Sequence, residues 1–153
     1  MAEKRPKTIE RNGTMLAVAR HEAAHAVIGE LLGFRCLSVE IHGPQSGLHR
    51  WDGRCRRGPG IIAHAVVALA GCAAEQLWHR MHPGYVSEED GKGLLAMGFT
   101  MQDFPPAMYL ARRIVRANRA AIWRVALALI ENGKLTGAQV RDLAAGADGG
   151  ADD

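Results

Sequence analysis

The sequence has few cysteines, no long hydrophobic run and no apolar N-terminal stretch. Cys36, Cys55 and Cys72 form no CxxC pair and no even set, which argues against a disulfide framework and favours reduced thiols in a cytoplasmic protein. The longest apolar run, residues 61–74, covers 14 positions and includes His64, so it is too short to span a membrane. The opening residues, MAEKRPKTIERNG, are polar and charged and do not resemble a signal peptide. We therefore expect a cytoplasmic protein without a membrane partner.

The length and composition are those of one globular domain. With 153 residues, of which 48% are hydrophobic, the chain is long enough to bury its own core. The net charge of +3 is small, and no segment resembles a reader of bases, so no nucleic-acid partner is expected. We divide the chain into a flexible tail at residues 1–12, a single domain at 13–145 and a disordered Gly- and Asp-rich tail at 146–153.

Hydrophobic periodicity and turn signals predict a mainly helical fold with one small β-hairpin. The first predicted helix, residues 14–32, has no proline, is rich in Ala and Leu, and stops at Gly33. Residues 35–42 and 48–52 alternate enough for two strands joined by a glycine- and proline-containing turn. Further helices are predicted at residues 61–78, 88–97, 105–131 and 137–144.

One stretch specifies a chemistry, the His21-Glu22-Ala23-Ala24-His25 segment of the first predicted helix. Two histidines at i and i+4 lie one turn apart on the same side of a helix, so their imidazoles can converge on one cation. Glu22 projects about 100° around the helix from His21, where a general base for hydrolysis should stand. The alternative is a pair of core histidines bonded to backbone groups. Because two buried histidines beside an acid are costly to desolvate without a partner, we favour a metal site.

A firmly bound metal needs a third protein ligand in addition to these histidines. The longer HExxHxxGxxH motif is excluded, because Ile28 stands at its glycine and Leu31 at its last histidine. The scattered cysteines lack the spacing of a closed structural site. Spacing alone does not choose among the other candidates, which are His42, His49, His64, His79, His82, Glu75, Glu88, Glu89 and Asp90.

Five stretches, in order, resemble the FtsH family of zinc metallopeptidases. HEAAHAVIGELLG is similar to the family's metal-binding helix, and LSVEIHG followed by SGLHRW is similar to its strand pair. ALAGCAAEQLW resembles the family's LGGRAAEEL stretch, and VSEEDGKGLLAMG resembles the segment in which an Asp supplies the third zinc ligand. ENGKLTGAQVRDL resembles the closing helix. The similarity runs in register over residues 15–143.

This resemblance implies a helical zinc-peptidase domain with a small β-hairpin after the metal-binding helix. His21, His25 and Asp90 would bind Zn²⁺, and Glu22 would be the general base. The connection that leads to Asp90 is shorter and differently composed than in the family, so Glu89 is the alternative third ligand.

The resemblance also suggests roles for the hairpin and for the helix that follows it. The backbone of Gly47, Leu48 and His49 would face an extended peptide from an edge strand, although the hairpin could equally serve only to cover the core. Glu75 would orient a ligand histidine from outside the ligand set, the alternative being a surface or capping acid.

The implied function is a stand-alone soluble zinc endopeptidase that acts on unfolded or flexible polypeptides. FtsH-type enzymes couple this domain to a membrane anchor and an ATP-driven motor, whereas this sequence has no GxxxxGK[ST] loop. A separate ATPase or unfoldase is therefore a candidate partner. The alternative is a catalytically inactive, zinc-stabilised interaction module. A side chain such as His82 or Cys55 at the fourth metal position would favour that alternative, and the presence of Glu22 favours the enzyme.

Overall fold

A computed structural model describes residues 13–43, 46–51, 61–79 and 88–146, which form six helices and a three-stranded sheet. The predicted mainly helical fold is confirmed. In chain order the elements are α1 (Gly13–Leu31), β1 (Cys36–Gly43), β2 (Ser46–Trp51), α2 (Ile61–His79), α3 (Glu88–Ala96), α4 (Phe104–Ala117), α5 (Arg119–Asn132), β3 (Lys134–Thr136) and α6 (Gly137–Ala145). The predicted tails at residues 1–12 and 146–153 lie outside this description, except for Gly146.

Helix α1, which carries both histidines of the motif, is the central element of the fold. It packs against α2, α5 and β1, and its residues 22–29 are buried without interruption. A helix that is enclosed on all sides cannot show a one-sided apolar stripe. Small side chains make the close packing feasible, since Ala19, Ala23, Ala24 and Ala26 are all fully buried. The motif is therefore an interior feature of the domain.

The three strands form one antiparallel sheet in the order β2-β1-β3. Strands β1 and β2 are the predicted hairpin, in which Val39 pairs with His49 and Ile41 with Gly47. Among the described strands, β2 is hydrogen-bonded to β1 alone, so it is an edge strand. Along β2 the exposure alternates: Leu48 and Arg50 are exposed, while the residues between and beside them are partly buried. This alternation turns one face of β2 toward α1.

The single helix predicted at residues 105–131 is wrong, because the chain forms two helices, α4 and α5, separated at Asn118. The Asn118 side chain donates a hydrogen bond to the carbonyl of Ile114 at 2.8 Å. The backbone N–H of Asn118 also bonds to Ile114 and Val115. The helix is interrupted because the backbone of Asn118, with φ −111° and ψ 18°, leaves the helical region. Hydrophobic periodicity alone does not register such a break.

The third strand was also absent from the sequence prediction. Gly133 ends α5 with a left-handed backbone (φ 75°), a conformation that glycine adopts without steric cost. The chain then turns back so that Leu135, which is buried, pairs with Val39 of β1. A strand of three residues is too short for a period-two pattern to be recognised.

A capping box fixes the start of the C-terminal helix α6, and an ion pair joins α6 to α1. The Thr136 side chain accepts a hydrogen bond from the backbone of Gln139, and the Gln139 side chain accepts one from the backbone of Thr136, which together form a capping box. Arg141 of α6 contacts Glu30 of α1 at 2.8 Å. None of the helices formed by the described residues is long and apolar enough to cross a lipid bilayer.

Candidate metal centre

The two histidines of the motif point toward each other from successive turns of α1. His21 Nε2 and His25 Nε2 are 3.0 Å apart, and the His25 side chain is fully buried. The edge-on arrangement of the rings, with centroids 4.7 Å apart, directs both nitrogens toward one point. The i, i+4 spacing therefore yields the convergence that the sequence predicts.

Asp90 joins this pair from the first turn of α3. Its Oδ2 atom lies 3.2 Å from His21 Nε2 and 3.5 Å from His25 Nε2. Its neighbour Glu89, the alternative third ligand, has an exposed side chain. Asp90 is thus the acid of this segment that the fold brings to the histidines.

The three atoms form a triangle with sides of 3.0, 3.2 and 3.5 Å. In a tetrahedral zinc site with bonds near 2.0–2.1 Å, two nitrogen or oxygen ligands are about 3.4 Å apart. The triangle therefore has nearly the dimensions of three tetrahedral ligand positions. Zinc also prefers this donor set of histidine nitrogens and a carboxylate oxygen.

Outside the triangle, His25 makes a hydrogen bond and His21 makes a longer contact with a carboxylate. His25 Nδ1 lies 2.7 Å from the carbonyl oxygen of Val67 on α2, so Nδ1 carries the proton and donates it to the carbonyl, and Nε2 retains its lone pair. His21 Nδ1 lies 3.5 Å from Glu75 Oε1, which is beyond good hydrogen-bond geometry but close enough to favour a proton on Nδ1. Such outer contacts to a carbonyl and a carboxylate are typical of histidine ligands in metal sites. Glu75 lies 3.5 Å from the ring of His21, and its orienting role stays a prediction.

The electrostatics of the triangle demand a positive charge at its centre. Although burial acts in the opposite direction, contacts with Asp90 and Glu75 raise the pKa of His21 to about 10. Burial, reinforced by the nearby His49, lowers the pKa of His25. Two lone pairs and a carboxylate oxygen within 3.5 Å repel one another unless a proton or a metal cation lies between them.

Gly71 of α2 and Gly47 of β2 leave room for the side chains of His21 and Glu22. A Cβ atom at Gly71 of α2 would lie 2.5 Å from His21 Cε1, and one at Gly47 of β2 would lie 2.5 Å from Glu22 Cγ. No side chain larger than hydrogen fits at either position without displacing its neighbour. The space around His21 and Glu22 is therefore built into α2 and β2.

Glu22 points from α1 toward the hairpin, beside the triangle. Its Oε2 atom is 2.8 Å from His49 Nδ1, and the residue is 8% exposed. Burial raises the pKa of Glu22, but the hydrogen bond from His49 and the neighbouring histidines outweigh it, so the net pKa lies below its ordinary value. The carboxylate is consequently ionised at neutral pH and can accept a proton.

A thiol also lies near the triangle. His21, Cys72 and Asp90 form a candidate metal-binding group whose ligand atoms all lie within 4.8 Å of one another. The buried Cys72 Sγ is 3.9 Å from Asp90 Oδ2. From the sequence alone this cysteine had little weight as a ligand, because the cysteines lack the spacing of a closed structural site. The available signal was its spacing from Glu75, because residues three apart lie on the same face of a helix.

Other sequence candidates lie elsewhere or outside the described residues. His42 is beside Glu40 at 3.0 Å, and the ring of His64 packs against Phe34 with centroids 4.6 Å apart. Glu88 is exposed and pairs with Lys92. The side chains of His79, His82 and Cys55 are outside the part of the chain that the structure describes. Gly47, Leu48 and His49 do lie on the edge strand, as predicted, but His49 contributes its side chain to the site.

Comparison of the sequence with protein-family models and with curated proteins gives no match. The resemblance to the FtsH family stays a prediction from the motifs, and the interpretation of the site depends on its geometry.

Proposed function

We propose that this protein is a zinc-dependent endopeptidase of the FtsH type, with Zn²⁺ held by His21, His25 and Asp90. The observation that carries the proposal is the convergence of three electron-pair donors, 3.0 to 3.5 Å apart, on one buried point. Their separations suit tetrahedral zinc. The oriented tautomer of His25 and the glycine at position 71 further support it.

Glu22 is suited to the proton transfers of amide hydrolysis. When bound, zinc lowers the pKa of a water molecule and polarises a carbonyl group. Glu22 then accepts a proton from the water as the water oxygen bonds to the carbonyl carbon. As the carbon–nitrogen bond breaks, Glu22 delivers that proton to the leaving amine. The ionised carboxylate beside the histidines is the state that the first transfer requires.

The edge strand β2 supports a polypeptide substrate. Its inward face contacts α1 next to Glu22, and among the described residues its outer edge is not covered by another strand. An extended peptide can pair with such an edge through main-chain hydrogen bonds, which tolerate many side chains. We propose unfolded or flexible polypeptides as substrates, with a separate ATPase or unfoldase as partner when the substrate is folded.

The test combines zinc analysis with cleavage of an unfolded casein-like protein. The Glu22→Gln variant should bind one equivalent of zinc and lose hydrolysis, because the amide keeps the shape of the side chain but cannot accept the proton. Glu131→Gln, the same change at an exposed position of α5, is the matched control and should cleave normally. Full activity of Glu22→Gln would rule out this mechanism.

The third ligand is tested by a neighbouring pair of variants. Asp90→Ala should lose zinc and activity, because only two ligands would remain. Glu89→Ala removes the adjacent, exposed acid and should retain both. The reverse pattern would assign the third ligand to Glu89.

Cys72 favours a second candidate function, a catalytically inactive module in which zinc is structural. A thiolate at the fourth position would close the site to water. The Cys72 Sγ to Asp90 Oδ2 distance of 3.9 Å exceeds the separation of about 3.6 Å expected for sulfur and oxygen ligands of one tetrahedral zinc. The open, catalytic arrangement is favoured by Glu22, because a structural zinc site has no use for a base beside it. A sulfur-to-metal charge-transfer band in the cobalt-substituted protein, absent from Cys72→Ala, would instead support the structural site.

A further inference from the structure

The side chain of His49 is a part of the site to which the proposed mechanism assigns no role. On β2, alternate residues face the same side, and the structure shows what that side meets. Gly47 lies against Glu22, and Trp51 packs at Gly29 of α1. His49, between them, contacts Glu22 and His25. The inward face of β2 thus follows a line along α1 that includes the proposed base and a proposed ligand.

The hydrogen bond between His49 and Glu22 has a defined direction. A carboxylate oxygen accepts hydrogen bonds, so His49 Nδ1 is the donor to Oε2 across 2.8 Å. A hydrogen bond to a charged carboxylate is stronger than one between neutral groups. It restrains the rotatable bonds of the glutamate side chain, which would otherwise be free to move the carboxylate.

The imidazole that donates this bond is itself held in place. Its ring lies against the ring of His25, with centroids 4.4 Å apart and planes inclined by 33°. On another side it meets Trp51 edge-on at 5.6 Å. His49 is therefore restrained by two aromatic neighbours as well as by Glu22. A restrained donor can fix the position of its acceptor.

We propose that His49 is a positioning residue that holds the Glu22 carboxylate in the orientation required for proton transfer. This inference rests on the proposed peptidase function. It makes β2 a structural part of the catalytic apparatus, in addition to a candidate edge for the substrate. Misplacing a catalytic group by about 1 Å can reduce the rate by roughly 100-fold, so the loss of this contact should affect turnover.

The experiment compares three substitutions of His49 in the zinc-loaded protein. His49→Asn places an amide N–H near the position of Nδ1, whereas His49→Gln extends its amide toward the position of Nε2. His49→Ala removes both donors. His42→Ala, the same change at an exposed position of the neighbouring strand β1, is the matched control. The measurements are kcat and KM on an unfolded casein-like substrate, together with zinc affinity by competition with a chelating dye.

We expect His49→Ala to lower kcat by roughly 10- to 100-fold, with KM and zinc affinity changed by less than threefold. His49→Asn should recover most of the lost turnover, while His49→Gln and His49→Ala remain impaired. His42→Ala should resemble wild type. A role in packing alone would not produce selective rescue by asparagine.

A spectroscopic readout tests the contact without measuring catalysis. In proton nuclear magnetic resonance spectra of the zinc-loaded protein, the His49 Nδ1–H should give a downfield resonance, because it donates to a charged acceptor. This resonance should be absent from His49→Ala and should move upfield in Glu22→Gln. A resonance that Glu22→Gln leaves unchanged would overturn the assigned contact.

Failure of this inference is distinguishable from failure of the proposed function. Wild-type turnover by His49→Ala, with zinc affinity intact, would overturn only the role of His49. Rescue by glutamine in place of asparagine would also overturn it, since the needed donor would then be Nε2. Wild-type protein that binds zinc and cleaves no polypeptide would overturn the peptidase function, and the role of His49 with it.

Discussion

Replacing Gly71 by alanine should separate metal binding from folding. A Cβ atom at this position of α2 would lie 2.5 Å from Cε1 and 2.6 Å from Cδ2 of His21. Ordinary van der Waals contact begins at 3.4 Å, so the imidazole would have to retreat by about 0.9 Å. Metal–ligand distances tolerate deviations of only about 0.2 Å. Gly71→Ala should therefore remove His21 from the ligand set.

The same substitution should leave the free energy of unfolding of the metal-free protein almost unchanged. Alanine is favoured over glycine within a helix by roughly 0.5–1 kcal/mol. Displacing the imidazole from its preferred rotamer costs about 0.5–1.5 kcal/mol. The two effects nearly cancel. Zinc affinity should fall at least 100-fold, since the loss of an outer-sphere partner alone typically costs 10- to 100-fold.

The assay is zinc competition with a chelating dye, together with urea denaturation of the metal-free protein. Gly93→Ala is the matched control, because Gly93 also lies in a helix and a Cβ there would meet nothing within 4 Å. It should gain about 0.5–1 kcal/mol of stability and bind zinc normally. Wild-type zinc affinity in Gly71→Ala would refute the inference that this glycine makes room for the ligand.

Three further predictions concern protons, a thiol and an ion pair. Zinc binding at pH 7 should release about one proton, because contacts with Asp90 and Glu75 outweigh burial and raise the pKa of His21 to about 10. Calorimetry in buffers of different ionisation enthalpy measures this release. Zero release would contradict that protonation state. Burial, followed by the negative Glu30, raises the pKa of Cys36 to about 12, so mass spectrometry should find Cys36 unmodified by iodoacetamide at pH 8 until the protein unfolds. Glu30→Leu should lower the free energy of unfolding, measured by chemical denaturation, by roughly 1–3 kcal/mol, because the Glu30 carboxylate accepts hydrogen bonds from the Cys36 backbone N–H and from Arg141. Glu30→Gln should lower it by less. Equal decreases in the two variants would argue against the lost acceptor as the cause.

The helices and the hairpin were predictable because local signals determine them. The start and end of α1 differ from the prediction by one residue, and α2 extends one residue further than predicted. Proline, glycine and hydrophobic periodicity carry this information within each segment. The division at Asn118 and the short strand β3 escaped prediction. The first depends on the backbone conformation of one residue, and the second on pairing with β1 across a long sequence separation.

The site was predictable only as far as it lies on one helix. The spacing of His21 and His25 fixes their relation on α1, but spacing could not select Asp90 from nine candidates. Selection depends on how α3 packs beside α2, which is a tertiary property. His49 was placed on the correct strand, yet the direction of its side chain follows from the register of β2 against β1. A one-residue shift in that register would turn it away from Glu22.

The geometry also bears on the alternative that His21 and His25 are ordinary core histidines. Such residues would satisfy their nitrogens with backbone groups, and His25 Nδ1 does bond to the carbonyl of Val67. One backbone acceptor accounts for only one nitrogen of the pair. The two remaining Nε2 atoms face each other and the Asp90 carboxylate at 3.0 to 3.5 Å, so a core pair would have to hold a proton between them, whereas the proposed site would hold a metal cation there. Glycines on the two flanking elements, α2 and β2, keep His21 and Glu22 in place. A core histidine pair would also use these glycines for close packing, so zinc binding is the property that distinguishes the proposed centre from such a pair.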